Sequence, residues 1–236
     1  MDQKNLNIRD KLLSRGEDEL VAMFDNVTAA TKNHIHTMVP LPFNPAKLKG
    51  ISEKLITSHW KNNYGTAVKS LVKVQQQLQG ITKDVPAFTV AGLRERELNY
   101  ANSIVYHEHY FGNLGGDGKP SGTVIKAIDR RFGSYDRWEE IFRATGMSLS
   151  GASGWVVLEH NFHLNDLRIT WASNHTQSSV FGQPLLVLDM YEHAYQMDYG
   201  ASADKYIDAF FKNINWDIVN KLHEFNTNQK CPIANK

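Results

Sequence analysis

A chain of 236 residues has room for one large domain or two small ones, and 42% hydrophobic with 22% charged residues is the balance of an ordinary globular protein. Lys plus Arg number 26 against 25 for Asp plus Glu, so no global charge draws the chain to nucleic acid or to a membrane surface. The single cysteine, Cys231, excludes an intrachain disulfide and a thiolate cluster, and no segment approaches the roughly 20 apolar residues of a membrane span.

The opening "MDQKNLNIRDKLL" lacks the uninterrupted apolar core of a signal peptide, which implies a cytoplasmic protein. Residues 9–33 read as a helical, partly amphipathic leader, so that 1–37 form an N-terminal extension. "HTMVPLPFNPAKLKG" (36–50) holds Pro40, Pro42 and Pro45 and ends on Gly50, the composition of an extended connector. Ser52 and Glu53 then open a long helix to about Leu78, with Leu55, Ile56, Val68, Leu71 and Val72 at helical spacing. A second helix is expected over 92–114, stopping at "GGDGKPSG". That loop divides a helical hairpin unit (38–118) from a second unit (119–236).

In the second unit two helical stretches, about 122–132 and 135–145, lead through "SGASG" to three strand-like runs, "WVVLEH", "LRITWAS" and "PLLVLD". Helices resume at "SADKYIDAFFKNI" and "NWDIVNKLHEF". The expected class is therefore α+β: a helical hairpin followed by a small, three-stranded antiparallel sheet wrapped by helices. No internal repeat or low-complexity segment interrupts it.

There are 10 histidines. His34, His36, His160, His163 and His223 read as lying near termini, turns or polar faces. His59 and His107 sit inside the two hairpin helices, with Asn63 and Ala67 one and two turns after His59. His109 cannot share a face with His107, because residues two apart point to different sides of a helix. Asp189 ends the apolar run "PLLVLD", where a buried carboxylate needs a counter-charge or several donors, and His193 follows close enough to join it. Three imidazoles and a carboxylate without sulfur suit iron, manganese or zinc. From the residues alone, a metal site and a merely capped turn both remain open.

"DMYEHAY" (189–195) resembles the D-x-W-E-H-A-Y signature of the iron/manganese superoxide dismutase family, and "SEKLITSHW", "YHEHYFGNL", "GGDGKPSG", "SGASGWVVL" and "NINW" follow that family's order and spacing. The resemblance covers about residues 38–225. It implies that the helical hairpin and the sheet domain each give two ligands to one iron or manganese ion per chain: His59, His107, Asp189 and His193. It implies a homodimer or higher homo-oligomer in which Glu192 reaches across a two-fold axis to the ligand histidine of the other subunit. Trp155 matches a tryptophan walling the pocket, Tyr191 stands where the motif has tryptophan, and His175 takes the place of the residue that hydrogen-bonds solvent on the metal. At the family's substrate gate, a tyrosine, a histidine and a second tyrosine are replaced by Ala67, Asn63 and Gln196, and a nearby arginine by Ala203.

The implied activity is dismutation of superoxide to oxygen and hydrogen peroxide, slowed by the altered gate, with no nucleic-acid or membrane partner. Removing a phenol at Ala67 is expected to widen and wet the entrance. An alternative follows from that: an iron or manganese oxidoreductase acting on a different, larger substrate. A non-catalytic scaffold is a third reading, disfavoured because all four ligand residues are kept.

Overall fold

Residues 36–228 are described by the computed structural model, so the helical leader expected over 9–33 lies outside the described residues. Ser52 starts the first helix by accepting a hydrogen bond from the Leu55 amide (3.0 Å), with Glu53 placed to answer the helix dipole. The helix runs as α1 (Glu53–Ser58), a π-helical segment (His59–Tyr64) and α2 (Gly65–Gln79). The expected helix is thus present, but its middle turns are wound i→i+5 rather than i→i+4. Its partner α3 (Ala87–Gly112), capped by Pro86, begins five residues before the Gly92 start expected from sequence. Pro86 has the fixed φ that suits a helix entry, and the helix runs on through Gly92.

After the glycine-rich loop come α4 (Thr123–Phe132) and α5 (Tyr135–Met147), then β1 (Trp155–Asn161), β2 (Asp166–Ala172) and β3 (Gly182–Asp189). The sheet is antiparallel, in the order β2-β1-β3, with a register shift at Leu158/Glu159. A short 3-10 turn (Glu192–Ala194), α6 (Gln196–Tyr199), α7 (Ala203–Phe211) and α8 (Trp216–Thr227) complete the described chain. The α+β class read from sequence is the class observed. Among the described residues no helix is long and apolar enough to cross a membrane.

One continuous core joins the helical hairpin to the sheet, from Ile51 and Leu55 through Tyr110, Trp155 and Leu188 to Val219. Two devices lock this arrangement. Gly118 has φ +79°, and a Cβ there would fall 2.5 Å from the Phe211 carbonyl oxygen, so only glycine lets the loop lie against the end of α7. Asn113, fully buried, ends α3. Its amide donates to the Leu185 carbonyl (2.9 Å) and accepts from the Val187 amide (3.0 Å), while its carbonyl accepts from Asn215 (2.7 Å). One side chain therefore closes the free edge of β3 and fixes the height of α3 against it. Asn113→Ala strands a buried N–H and a buried carbonyl, and should cost about 2–4 kcal/mol in urea unfolding. A loss below ~0.5 kcal/mol would show that water replaces these bonds and that Asn113 fixes nothing.

Candidate metal centre

β3 buries Leu185 to Leu188 without interruption and then ends on Asp189, opposite Trp155 of β1. The Asp189 carboxylate is 0% exposed. Its Oδ1 accepts from the Tyr191 amide (2.8 Å), a turn closure that leaves Oδ2 facing inward. Three imidazole nitrogens surround Oδ2: His59 Nε2 at 3.1 Å, His193 Nε2 at 3.2 Å and His107 Nε2 at 3.7 Å. His59 and His107 are buried, while the His193 side chain is 25% exposed. Each residue offers one ligand atom, and the four atoms lie within 4.8 Å of one another.

The hydrogen bonds say what these nitrogens are for. His107 Nδ1 lies 2.7 Å from the Ser103 carbonyl oxygen, which fixes the proton on Nδ1 and leaves the Nε2 lone pair pointing into the cluster. Buried and without hydrogen-bond partners are His107 Nε2 and both nitrogens of His59. His59 Nε2 is close to Oδ2 yet misaligned for a hydrogen bond, so the two groups face a common point rather than each other. Separations of 3.1–3.7 Å are what ligand atoms show around a shared ion with bonds of about 2.1 Å and angles of about 90–120°. The donor set fits a first-row transition metal.

The charge states agree with ligation. Burial pushes the imidazolium forms of His59 and His107 down, His107 to about 3 with His59 beside it as the next cause, so both rings are neutral near pH 7. Burial alone would push the Asp189 carboxyl up, but the facing His193 and His59 outweigh it and hold Asp189 below the usual carboxylate range. Neutral imidazoles and an ionised carboxylate are the forms that bind metal.

Aromatic rings wall the cluster. Trp155 meets His107 edge-on (centroids 5.0 Å apart) and donates from Nε1 to His175 Nδ1 at 2.9 Å. An accepting Nδ1 places the proton of neutral His175 on Nε2, and burial lowers this histidine's pKa and keeps it neutral. Tyr191 stacks between His175 (4.9 Å) and His193 (5.3 Å). The Asn102 amide donates to the His175 carbonyl (2.6 Å) and ties this loop to α3. Glu192 is exposed beside the site, and Gln196 is exposed one turn further on.

Two sequence expectations need correction. Ala67 was expected to open a wide, wet entrance. It is 5% exposed and packs in the core with Val68 and Leu71. In the π-helical segment one turn after His59 brings Tyr64, not Asn63, to the face of the ligand. Tyr64 is buried beside His107 (6.2 Å) and Phe111 (6.0 Å), accepts from the Val39 amide (2.8 Å) and donates to Glu108 Oε1 (2.7 Å). No helical periodicity could have singled it out. Second, His160 and His223, read from sequence as lying near termini, turns or polar faces, are 3% and 9% exposed and line one cavity to which none of the metal ligands contributes. His109, in contrast, lines a different hollow with Val105, Ile218 and Leu222 and takes no part in the ligand cluster. The hydroxyl of Tyr206, also missed, donates to the Asp189 carbonyl (2.8 Å) and lies 3.2 Å from that of Tyr110, which supports the strand end from beneath.

Comparison with known proteins places the chain in a family. The family model of the iron/manganese superoxide dismutases, C-terminal domain, matches residues 120–222. A superoxide dismutase [Fe] from Cupriavidus metallidurans is 48% identical over 183 residues, covering 77% of this chain and 93% of its own length. A superoxide dismutase [Fe] from Aquifex pyrophilus is 33% identical over 201 residues, covering 80% and 92%. Superoxide dismutase [Mn] 1 from Halobacterium salinarum is 30% identical over 187 residues, covering 77% and 92%. With such similarity along most of its length, and a His-His-Asp-His cluster buried between hairpin and sheet, the chain belongs to the iron/manganese superoxide dismutase family.

Proposed function

We propose that the chain is a superoxide dismutase in which His59, His107, Asp189 and His193 hold one iron or manganese ion. The observation that carries this reading is the set of buried, unsatisfied imidazole nitrogens of His59 and His107 turned towards the same Asp189 oxygen. When bound, such an ion supplies a one-electron couple, by which one superoxide leaves as oxygen and a second, with two protons, as hydrogen peroxide. Asp189 contributes the negative charge that offsets the ion, and Ser103 orients His107 through its carbonyl. Trp155 and Tyr191 keep bulk water from the ligands, and His175, held by Trp155, presents an Nε2–H donor beside them. Because Ala67 fills core space, no opening at that position favours a larger substrate.

The test is a matched pair on one helix. His107→Ala should lose bound metal and superoxide turnover together, while His109→Ala keeps at least about half of both. Equal losses in the two variants, with the fold intact, would contradict the ligand assignment.

The same reading includes a two-fold homodimer through the 192–197 segment. Glu192, Gln196 and Met197 are exposed next to the half-buried His193, and among the described residues no hydrogen bond reaches His193 Nδ1. A symmetry mate's Glu192 supplies the missing acceptor reciprocally. Sedimentation should therefore give a dimer at micromolar concentration, with Glu192→Ala dissociating it at least about tenfold more readily. A metal-loaded native monomer would exclude it.

A further inference from the structure

A cavity of about 530 Å³ is lined by Arg130 and Arg131 at the end of α4, His160 near the end of β1, Asn165 and Asp166 where the chain enters β2, and His223 and Thr227 of α8. Its volume is that of a small-molecule site, roughly 300–1,000 Å³. Four of its side chains are basic types and one is acidic, in a chain whose charges otherwise balance. The acid is already committed, since Arg131 Nε donates to Asp166 Oδ2 (2.7 Å) and to the Leu167 carbonyl (3.1 Å). Arg130 makes no ion pair with any described residue.

A purely structural role accounts for part of this. Arg130 and Arg131 stand in the last turn of α4, where cations answer the helix dipole. It does not account for the histidines. His223 is 9% exposed and its Nδ1 is sealed without a partner, so only the Nε2 edge can meet an occupant of the cavity. Burial, then His160, with Arg130 adding to it, disfavours the charged form of His223, while Glu224 favours it. The hollow thus sets one guanidinium that pairs with no described carboxylate beside the open edge of a buried imidazole, two donors that an anion seated there would meet together.

We propose that this cavity is a binding site for a phosphate-type oxyanion, free or carried on a small organic molecule, gripped by the Arg130 guanidinium and the His223 Nε2–H edge. A guanidinium fork and an imidazole donor are the groups that match tetrahedral oxyanions. The site is separate from the ligand cluster, so occupancy leaves superoxide turnover unchanged.

The experiment is calorimetric titration of the metal-loaded full chain with inorganic phosphate and with a hexose phosphate, at fixed ionic strength and with saturating azide to occupy the metal centre. Saturable binding by at least one probe is expected, weakened about tenfold or more by Arg130→Gln and by His223→Leu. Turnover and metal content should stay at the native level in both variants. Tighter binding of the hexose phosphate identifies an organic phosphate as the ligand, and equal binding identifies the free anion. Should His223→Leu fail to fold, the surface change Arg130→Gln carries the test alone. No binding of either probe up to about 10 mM, or binding that Arg130→Gln leaves intact, overturns the site.

Discussion

Asp189→Ala will purify with little iron or manganese and will unfold well below the native protein. The carboxylate is the one charge that three imidazoles share, and its Oδ1 also closes the turn through the Tyr191 amide. Removing it leaves buried ring nitrogens facing a void. Breaking a buried charged cluster from one side costs about 3–5 kcal/mol even before the lost metal is counted. Asp189→Asn separates the two losses. It can keep the Tyr191 bond and the shape, so it should recover most of the metal-free stability, yet it lacks the charge that binds the ion. Elemental analysis and urea unfolding of both variants give the answer. Stoichiometric metal in Asp189→Ala would remove this residue from the ligand set.

The second large effect is acid sensitivity of the metal-free protein. In the folded chain His59 and His107 resist protonation, His107 down to about pH 3, because both are buried. In the unfolded chain each takes up a proton below its ordinary value of 6.5. The unfolded state then binds more protons, so stability falls as pH drops from 6.5, by roughly 1.4 kcal/mol per pH unit for each neutral histidine. Asp189 acts in the same direction at lower pH. Its folded value lies below the usual carboxylate range, so its contribution is present above the unfolded value and is lost on further acidification. Metal-free protein should lose most of its urea stability between about pH 6.5 and 4.5, and bound metal should move the loss to lower pH. A flat profile over that range would mean that the two histidines are hydrated and free to protonate.

The elements visible in sequence are those whose signal is local. Ser52 at a helix start, unbroken apolar strands and the glycine-rich loop each announce themselves within a few residues. The sharp stop at Asp189 and the nearby His193 were legible for the same reason. His59 and His107 stand out as candidates inside the two helices, but only the resemblance joins them to Asp189 and His193, because no spacing rule brings residues from two helices to one strand end. The π-helical segment has no local signal: nothing in "HWKNNY" marks the change of winding, and Tyr64 beside His107 is not announced by α-helical spacing from His59. Nothing around Asn113 in the sequence points to its bonds with Leu185 and Val187, which come from a strand some 70 residues away. His160 and His223 looked polar because alternation in a short strand and the face of a late helix cannot reveal what packs above them.

The most direct test of the account is superoxide turnover measured against bound metal. Metal-free protein would be reconstituted to a graded series of iron contents, and separately of manganese contents, and each sample assayed at one protein concentration. Turnover should rise in proportion to the metal held, for at least one of the two metals, and level off at one ion per chain. Protein carrying a full ion at the His59, His107, Asp189 and His193 cluster, but no faster than the metal-free chain with either metal, would contradict it.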